Sequence, residues 1–331
     1  MSLLQFPYMK KIIFLLLAAL LAASCGSRKR EPGHIRVVLD WTPNTNHTGL
    51  YIALEKGLFA EEGLMVEIVQ PPEDGALLLL ASGNAEFAVD FQETLGPAIA
   101  KNEEALPLTA VAAVISRNTS GIVSLAGKGI TRPRDLEGKR FASWETPLVT
   151  AVIKSIVEED EGDFSKVQMI PNFATDAFSA METEVDAVWI FYAWDGIAAE
   201  TRGLDINYLE LGRLNPIFDF YTPVLVCNNN WLNANPETAK KFLMAASRGY
   251  AYSMEFPDEA SEILLKYAPE LDRETVKASQ RYLVTRYKGD APRWGEIDKK
   301  RWDQFYRWMY NEGLLEKDPV SGGFTNEYLP D

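Results

Sequence analysis

Apolar and polar positions along this chain alternate between two rhythms. At 35–39, Ile35, Val37 and Leu39 alternate with Arg36 and Val38, and β-branched residues dominate, which is the pattern of a strand. The stretch GLYIALEKGLF then places Leu50, Leu54 and Leu58 on one face of an amphipathic helix. Strands are predicted again at 65–69, 87–89 and 108–114, with helices near 49–58, 74–82 and 94–102 between them. That βαβαβαβ order argues for a parallel sheet with helices on both faces. Gly57, Gly63 and Gly83 sit where those helices should end or turn. One more strand at 121–125 leads into a polar crossing, 128–139, with Thr131, Arg132, Pro133 and Asp135. A second series follows: strand 140–143, helix 149–159, strand 167–170, helix 174–183, strand 187–191. TPVLVC at 222–227 predicts a buried return strand, and the remainder is helical. Asn235-Pro236-Glu237, Pro257-Asp258-Glu259 and Asp272-Arg273-Glu274 supply helix starts. Trp302, Phe305, Tyr306, Met309 and Tyr310 recur at helical spacing and are read as core.

This order predicts an α/β protein of two doubly wound lobes joined by two crossing segments. Lobe 1 takes 35–124 and 225–331, and lobe 2 takes 125–224. The cleft between them is the predicted ligand site, because small-molecule sites favour domain interfaces.

The N-terminus follows other rules. Lys10 and Lys11 precede an apolar run, 12–23, that is short for a membrane span. Residues 1–24 therefore read as an export signal. Its tail, Leu21-Ala22-Ala23-Ser24-Cys25, resembles the lipobox of bacterial lipoproteins, which implies cleavage before Cys25 and lipidation there. The polar, basic stretch 25–34 is a tether. Lipidation leaves Cys227 as a lone cysteine in an apolar run, read as a small hydrophobe. The chain of 331 residues carries a formal charge of −14, and the signal holds lysines but no acid. The exported part is thus more acidic still, which argues against nucleic acid or anionic lipid as partners.

Enzymatic signatures are sparse. There are two histidines, His34 beside the tether and His47, and His47 followed by Thr at a helix start reads as capping or packing. No HExxH, nucleophile elbow, phosphate-binding glycine loop or Cys/His cluster occurs. What recurs instead is an aromatic ring beside a carboxylate at predicted strand ends. Asp40-Trp41 is followed by Asp90-Phe91-Gln92-Glu93, Trp144-Glu145, Tyr192-Ala193-Trp194-Asp195 and Phe218-Asp219-Phe220-Tyr221. Each alone is also what a core aromatic beside a solvated acid would give. Together they suit a flat, nitrogen-rich ring: aromatic faces stack on it, and carboxylates accept from its amines. They suit phosphate or sulfonate poorly, since no Arg/Lys cluster accompanies them.

The segments DWTPNTNHTGLYIALEKGLFAEEGL, PPEDGALLLLASGNAEFAV, RNTSGIVSL, AVWIFYAWDGI and FTNEYL together resemble the substrate-binding lipoproteins of thiamine-pyrimidine salvage transporters. The likeness covers nearly all of the chain after the tether. It implies a bilobal periplasmic-binding-protein fold that closes on a formylaminopyrimidine-type ligand and delivers it to an ABC permease with its ATPase. It also implies a monomer without cofactor, metal or catalysis, attached to the membrane through the lipid alone and facing the periplasm or cell exterior. The positions it points to are Trp41, Asn44, Glu93, Trp144, Glu145, Thr146, Pro147, Tyr192 and Asp195. Trp41 and Tyr192 would stack on the ring, Glu93 or Asp195 would read its amino group, and the loop from Trp144 to Pro147 would hold the substituent. The same superfamily includes fungal enzymes that build the thiamine pyrimidine from a histidine of their own and pyridoxal phosphate. This chain departs from them, with Asp90 where a cofactor-bearing lysine is expected and Ile217-Phe218-Asp219-Phe220-Tyr221 in place of a cysteine-rich run. Binders of other flat heterocycles, such as flavins, remain the alternative within the fold.

Overall fold

The computed structural model describes residues 33–331 except 143, 145, 172–176 and 319–321. The predicted export signal, Cys25 and nearly all of the tether lie outside the described residues.

The strands are β1 (His34–Val38), β2 (Met65–Val69), β3 (Phe87–Asp90), β4 (Leu108–Ala113), β5 (Ser120–Leu125), β6 (Arg140–Ala142), β7 (Gln168–Ile170), β8 (Ala187–Phe191), β9 (Ile206–Glu210) and β10 (Val224–Asn228). They form two five-stranded sheets, ordered β2-β1-β3-β10-β4 and β7-β6-β8-β5-β9. The two α/β lobes read from the sequence are present, each built on one sheet.

Neither sheet is purely parallel. β1 and β3 run parallel, as do β6 with β7 and with β8. β10 enters antiparallel between β3 and β4, and β5 enters antiparallel between β8 and β9. The reason is geometric. β4 leaves the first sheet at its carboxyl end, and six residues, 114–119, carry the chain to β5. β5 begins with Ser120 opposite Phe191 and Gly121 opposite Glu210, where β8 and β9 end. The return mirrors this: β10 begins with Val224 opposite Asp90 and Ala113, where β3 and β4 end. A strand that arrives at the carboxyl edge can only run back antiparallel. Six residues span at most about 20 Å, so the carboxyl edges of both sheets are held near each other.

Two strands lie at the crossings between the sheets. β5 follows the first crossing and pairs in the second sheet, and β10 follows the second crossing and pairs in the first. β9 was not foreseen. It is an edge strand, half-buried along its whole length, so INYLE lacks the alternation that marks a one-sided strand.

The crossings are tied together. The Asn118 side chain donates to the Phe218 carbonyl at 2.7 Å, while Asp219 accepts from the Asn118 N–H at 2.9 Å and from Arg117 at 2.7 Å. The Arg301 guanidinium lies 3.7 Å over the Tyr221 ring and 3.6 Å from Asp219. Elsewhere the core is aromatic, with Phe87 stacked on Phe242 and Phe220 on Phe305. Trp302, Phe305, Tyr306 and Met309 are buried as predicted, whereas Tyr310 is exposed, one position past the inward stripe. Cys227 is fully buried, and burial pushes its thiol up, which suits a small hydrophobe.

Candidate functional site

The loop after β1 is built by its own polar residues. Asn44 caps the single turn Thr45–His47, its side-chain oxygen accepting from the Asn46 N–H at 2.9 Å and its Nδ2 donating to the Thr42 carbonyl at 3.2 Å. His47 is fully buried, and its Nδ1 accepts from the Asn44 N–H at 3.1 Å. That leaves Nε2 to donate to Asp40 at 2.5 Å. His47 is thus a strut between its loop and the end of β1. Trp41, by contrast, is 68% exposed, although large aromatics are usually covered.

The loop after β3 lies beside it, because β1 and β3 are neighbours: Val38 stands opposite Ala88, and the same register carried on puts Asp40 next to Asp90. Asp90 accepts from the Phe91 N–H at 2.7 Å and from the Thr94 hydroxyl. Burial nevertheless pushes its carboxyl up to about 6, with Asp40 adding to the shift. Glu93 opens the helix Gln92–Ile99, and its Oε1 accepts from the Thr222 hydroxyl of the second crossing at 3.3 Å. Burial, and secondarily the Asp90 charge, push it up to about 8. The hydrogen-bond partners found for these carboxyls are imidazole, hydroxyls and backbone N–H groups, so an anionic ligand would meet acids here with no base to offset them.

The opposite edge is aromatic. Trp144, after β6, is 47% exposed, with its ring centroid 6.2 Å from that of Phe191 at the end of β8. Phe191 in turn stacks at 6.1 Å on Phe91, which follows β3. That contact joins the carboxyl edges of the two sheets. Thr146 caps the helix Pro147–Glu159, accepting from the Val149 N–H, and Pro147 occupies its first turn. Glu145 lies outside the described residues. Tyr192–Gly196 forms one wide π-type turn, a feature frequent at functional sites, and Asp195 is half-buried within it.

Tyr192, the first residue of that turn, is half-buried among other tyrosines. Its ring packs 4.5 Å from Tyr208 and 5.5 Å from Tyr282, its hydroxyl donates to Glu200, and Gly196 lies directly against it. These neighbours fix the orientation of the ring. Phe91 and Phe191 are the rings that meet between the sheets, and neither was among the predicted ligand contacts. Ser279 was also missed. It lies on the helix Arg273–Leu283, bonds Thr45 Oγ1 at 2.6 Å, and donates to the Ala193 carbonyl, linking the first loop to the π-type turn. Nothing local in the sequence marks a serine 234 residues from its partner.

Among the described residues, no group of His, Cys, Asp and Glu is placed to hold a metal ion, and no helix is long and apolar enough to cross a membrane.

Two lobes with facing carboxyl edges, joined by paired crossings, define the class: a periplasmic binding protein fold. The periplasmic aliphatic sulphonate binding protein of Escherichia coli superposes with a TM-score of 0.68 at 16% identity, over 87% of this chain and 95% of that one. Residues 44–260 match the NMT1/THI5 like family, and the chain belongs to it. A formylaminopyrimidine-binding protein of Halalkalibacterium halodurans is 32% identical, covering 94% of this chain and 96% of its own. A 4-amino-5-hydroxymethyl-2-methylpyrimidine phosphate synthase of Saccharomyces cerevisiae is 24% identical over 89% and 87%. The family therefore holds both binders and synthases.

Proposed function

We propose that this protein is the solute-binding component of an ABC importer for a thiamine-related aminopyrimidine, formylaminopyrimidine or a close analogue. The observation that carries this reading is similarity to a formylaminopyrimidine-binding protein over 94% of this chain, joined to strand ends that carry acids and the exposed rings Trp41 and Trp144. In this reading Trp41 stacks on the pyrimidine, and Trp144 with Phe191 forms the facing wall. Glu93, and Asp195 from the π-type turn, are the acceptors for its amino group. Asn44 shapes the loop and offers it to the ligand, while Glu145, Thr146 and Pro147 border the substituent. Lipid on Cys25 would hold the protein at the outer face of the membrane, where it meets the permease as a monomer.

The synthase alternative is disfavoured by residue chemistry. Asp90 stands where the lysine would, and a carboxyl held by Thr94 and the Phe91 N–H cannot form an imine. Calorimetry with formylaminopyrimidine, hydroxymethylpyrimidine, thiamine and riboflavin tests the assignment. Tight binding of an aminopyrimidine is the expected result, and binding of riboflavin alone, or of none, would sink it.

A further inference from the structure

Glu93 has a feature that neither packing nor the family likeness accounts for. Its Oε1 accepts from Thr222, but its Oε2 is enclosed by protein and accepts no hydrogen bond among the described residues. An enclosed carboxylate oxygen without a donor is costly, and a carboxylic acid avoids that cost by keeping its proton. The titratable neighbours favour the acid form. Asp90 at the end of β3 adds negative charge, with Asp40 beside it from β1, and Tyr306 approaches from the helix Lys299–Asn311. Only the Thr222 hydroxyl and Glu93's own backbone N–H favour the charged form. Glu93 stands at the seam of the two sheets, where it follows the Phe91 ring that meets Phe191 across the edges and bonds Thr222 of the crossing, so a ligand reaches Oε2 only when those edges part.

Resting on the aminopyrimidine reading, we propose that Glu93 determines specificity by meeting its ligand as a neutral carboxylic acid, its Oε2–H donating to an unprotonated ring nitrogen. Oε1 keeps a lone pair beside the Thr222 bond that can accept from an adjacent exocyclic amine. No covalent bond changes, and the proton stays on Glu93 or is shared along the hydrogen bond. The cleft then selects neutral heterocycles with a free ring nitrogen, and it rejects flat rings that offer only carbonyl and N–H groups to Oε2.

Calorimetric titration of the soluble protein with formylaminopyrimidine between pH 6.5 and 9.5 tests this. Affinity should be level to about pH 7.5 and then fall about tenfold per pH unit above about 8, because binding must first return a proton to Glu93. Glu93→Gln keeps a neutral donor at the same place, so it should bind within a few-fold of wild type at pH 7 and lose the alkaline fall. Glu93→Leu should weaken binding about tenfold or more. A pH-independent wild type, an affinity that rises toward pH 8, or a Gln variant as weak as Leu would each overturn the proposal. Failure of the functional reading looks different: wild type and both variants would bind no aminopyrimidine at any pH, and the proposal falls with it. In ligand-free protein the Glu93 carboxyl carbon should titrate near pH 8 by NMR; titration near 4.5, the usual glutamate value, overturns the proposal whatever the ligand does.

Discussion

Trp41 and His47 sit six positions apart in one loop and do opposite work. Trp41 spends its ring on solvent, so its removal should leave folding intact and act on binding alone. Trp41→Ala should cost about 1–3 kcal/mol of ligand affinity by calorimetry, with an unchanged denaturation midpoint. His47 is enclosed and joins two backbone segments through Asn44 and Asp40. His47→Ala leaves those partners unsatisfied and should cost about 1–3 kcal/mol of unfolding free energy, read by urea denaturation. Glu93 adds a pH dependence to stability. Its folded value, about 8, lies above the ordinary 4.5, so the native state holds the proton more tightly than the unfolded chain. The stability it contributes is full at low pH and declines as pH rises from about 4.5 through 8. Glu93→Gln should therefore be more stable than wild type at pH 8.5 by on the order of 2–4 kcal/mol and nearly equal at pH 4.5; equal stability at both would refute the raised value.

At the scale of elements, the loop depends on two helices that touch through glycine. A Cβ on Gly49 would stand 2.3 Å from the Tyr250 ring, and one on Gly249 would stand 2.0 Å from the Gly49 carbonyl oxygen. Tyr250 closes the arrangement by donating to the Asn46 carbonyl at 2.7 Å. The helices Thr48–Glu55 and Pro236–Glu255 thus set the height of the binding loop. Gly49→Ala and Gly249→Ala should each destabilise by about 1–3 kcal/mol. Gly249→Ala should be the worse of the two, because it meets backbone that cannot rotate away. Chemical denaturation of the pair checks the order.

For the whole molecule, the question is what holds the two carboxyl edges together. Ser279 is one brace, reaching Thr45 on one side and the Ala193 carbonyl on the other. Ser279→Ala removes both bonds and leaves the covalent crossings intact. The ligand-free variant should scatter X-rays with a larger radius of gyration than wild type, and its ligand affinity should fall several-fold as the population shifts toward open forms. Unchanged scattering and affinity would reduce Ser279 to packing.

Local order carried much of this protein in its sequence. Period-two and period-3.6 patterning with helix-start chemistry located β1 through β8, the return strand and the long C-terminal helices, since each signal lies within a dozen residues of chain. The aromatic-acidic strand ends were legible for the same reason, and they identified Trp41, Glu93 and Trp144 as members of facing edges. Tertiary structure decided what depends on neighbours distant in sequence. Strand direction in β5 and β10 follows from where the crossings deliver the chain, and the half-buried edge strand β9 leaves no periodic trace. Tyr192 carries the same local signal as Trp41, yet only the fold sets Tyr208, Tyr282 and Gly196 against its ring while Trp41 stands in solvent. Ser279 and Thr222 gain their places only because contacts more than a hundred residues apart close around the loops. Glu93's proton has the same origin: a sequence specifies the carboxyl, but burial beside Asp90 sets its charge.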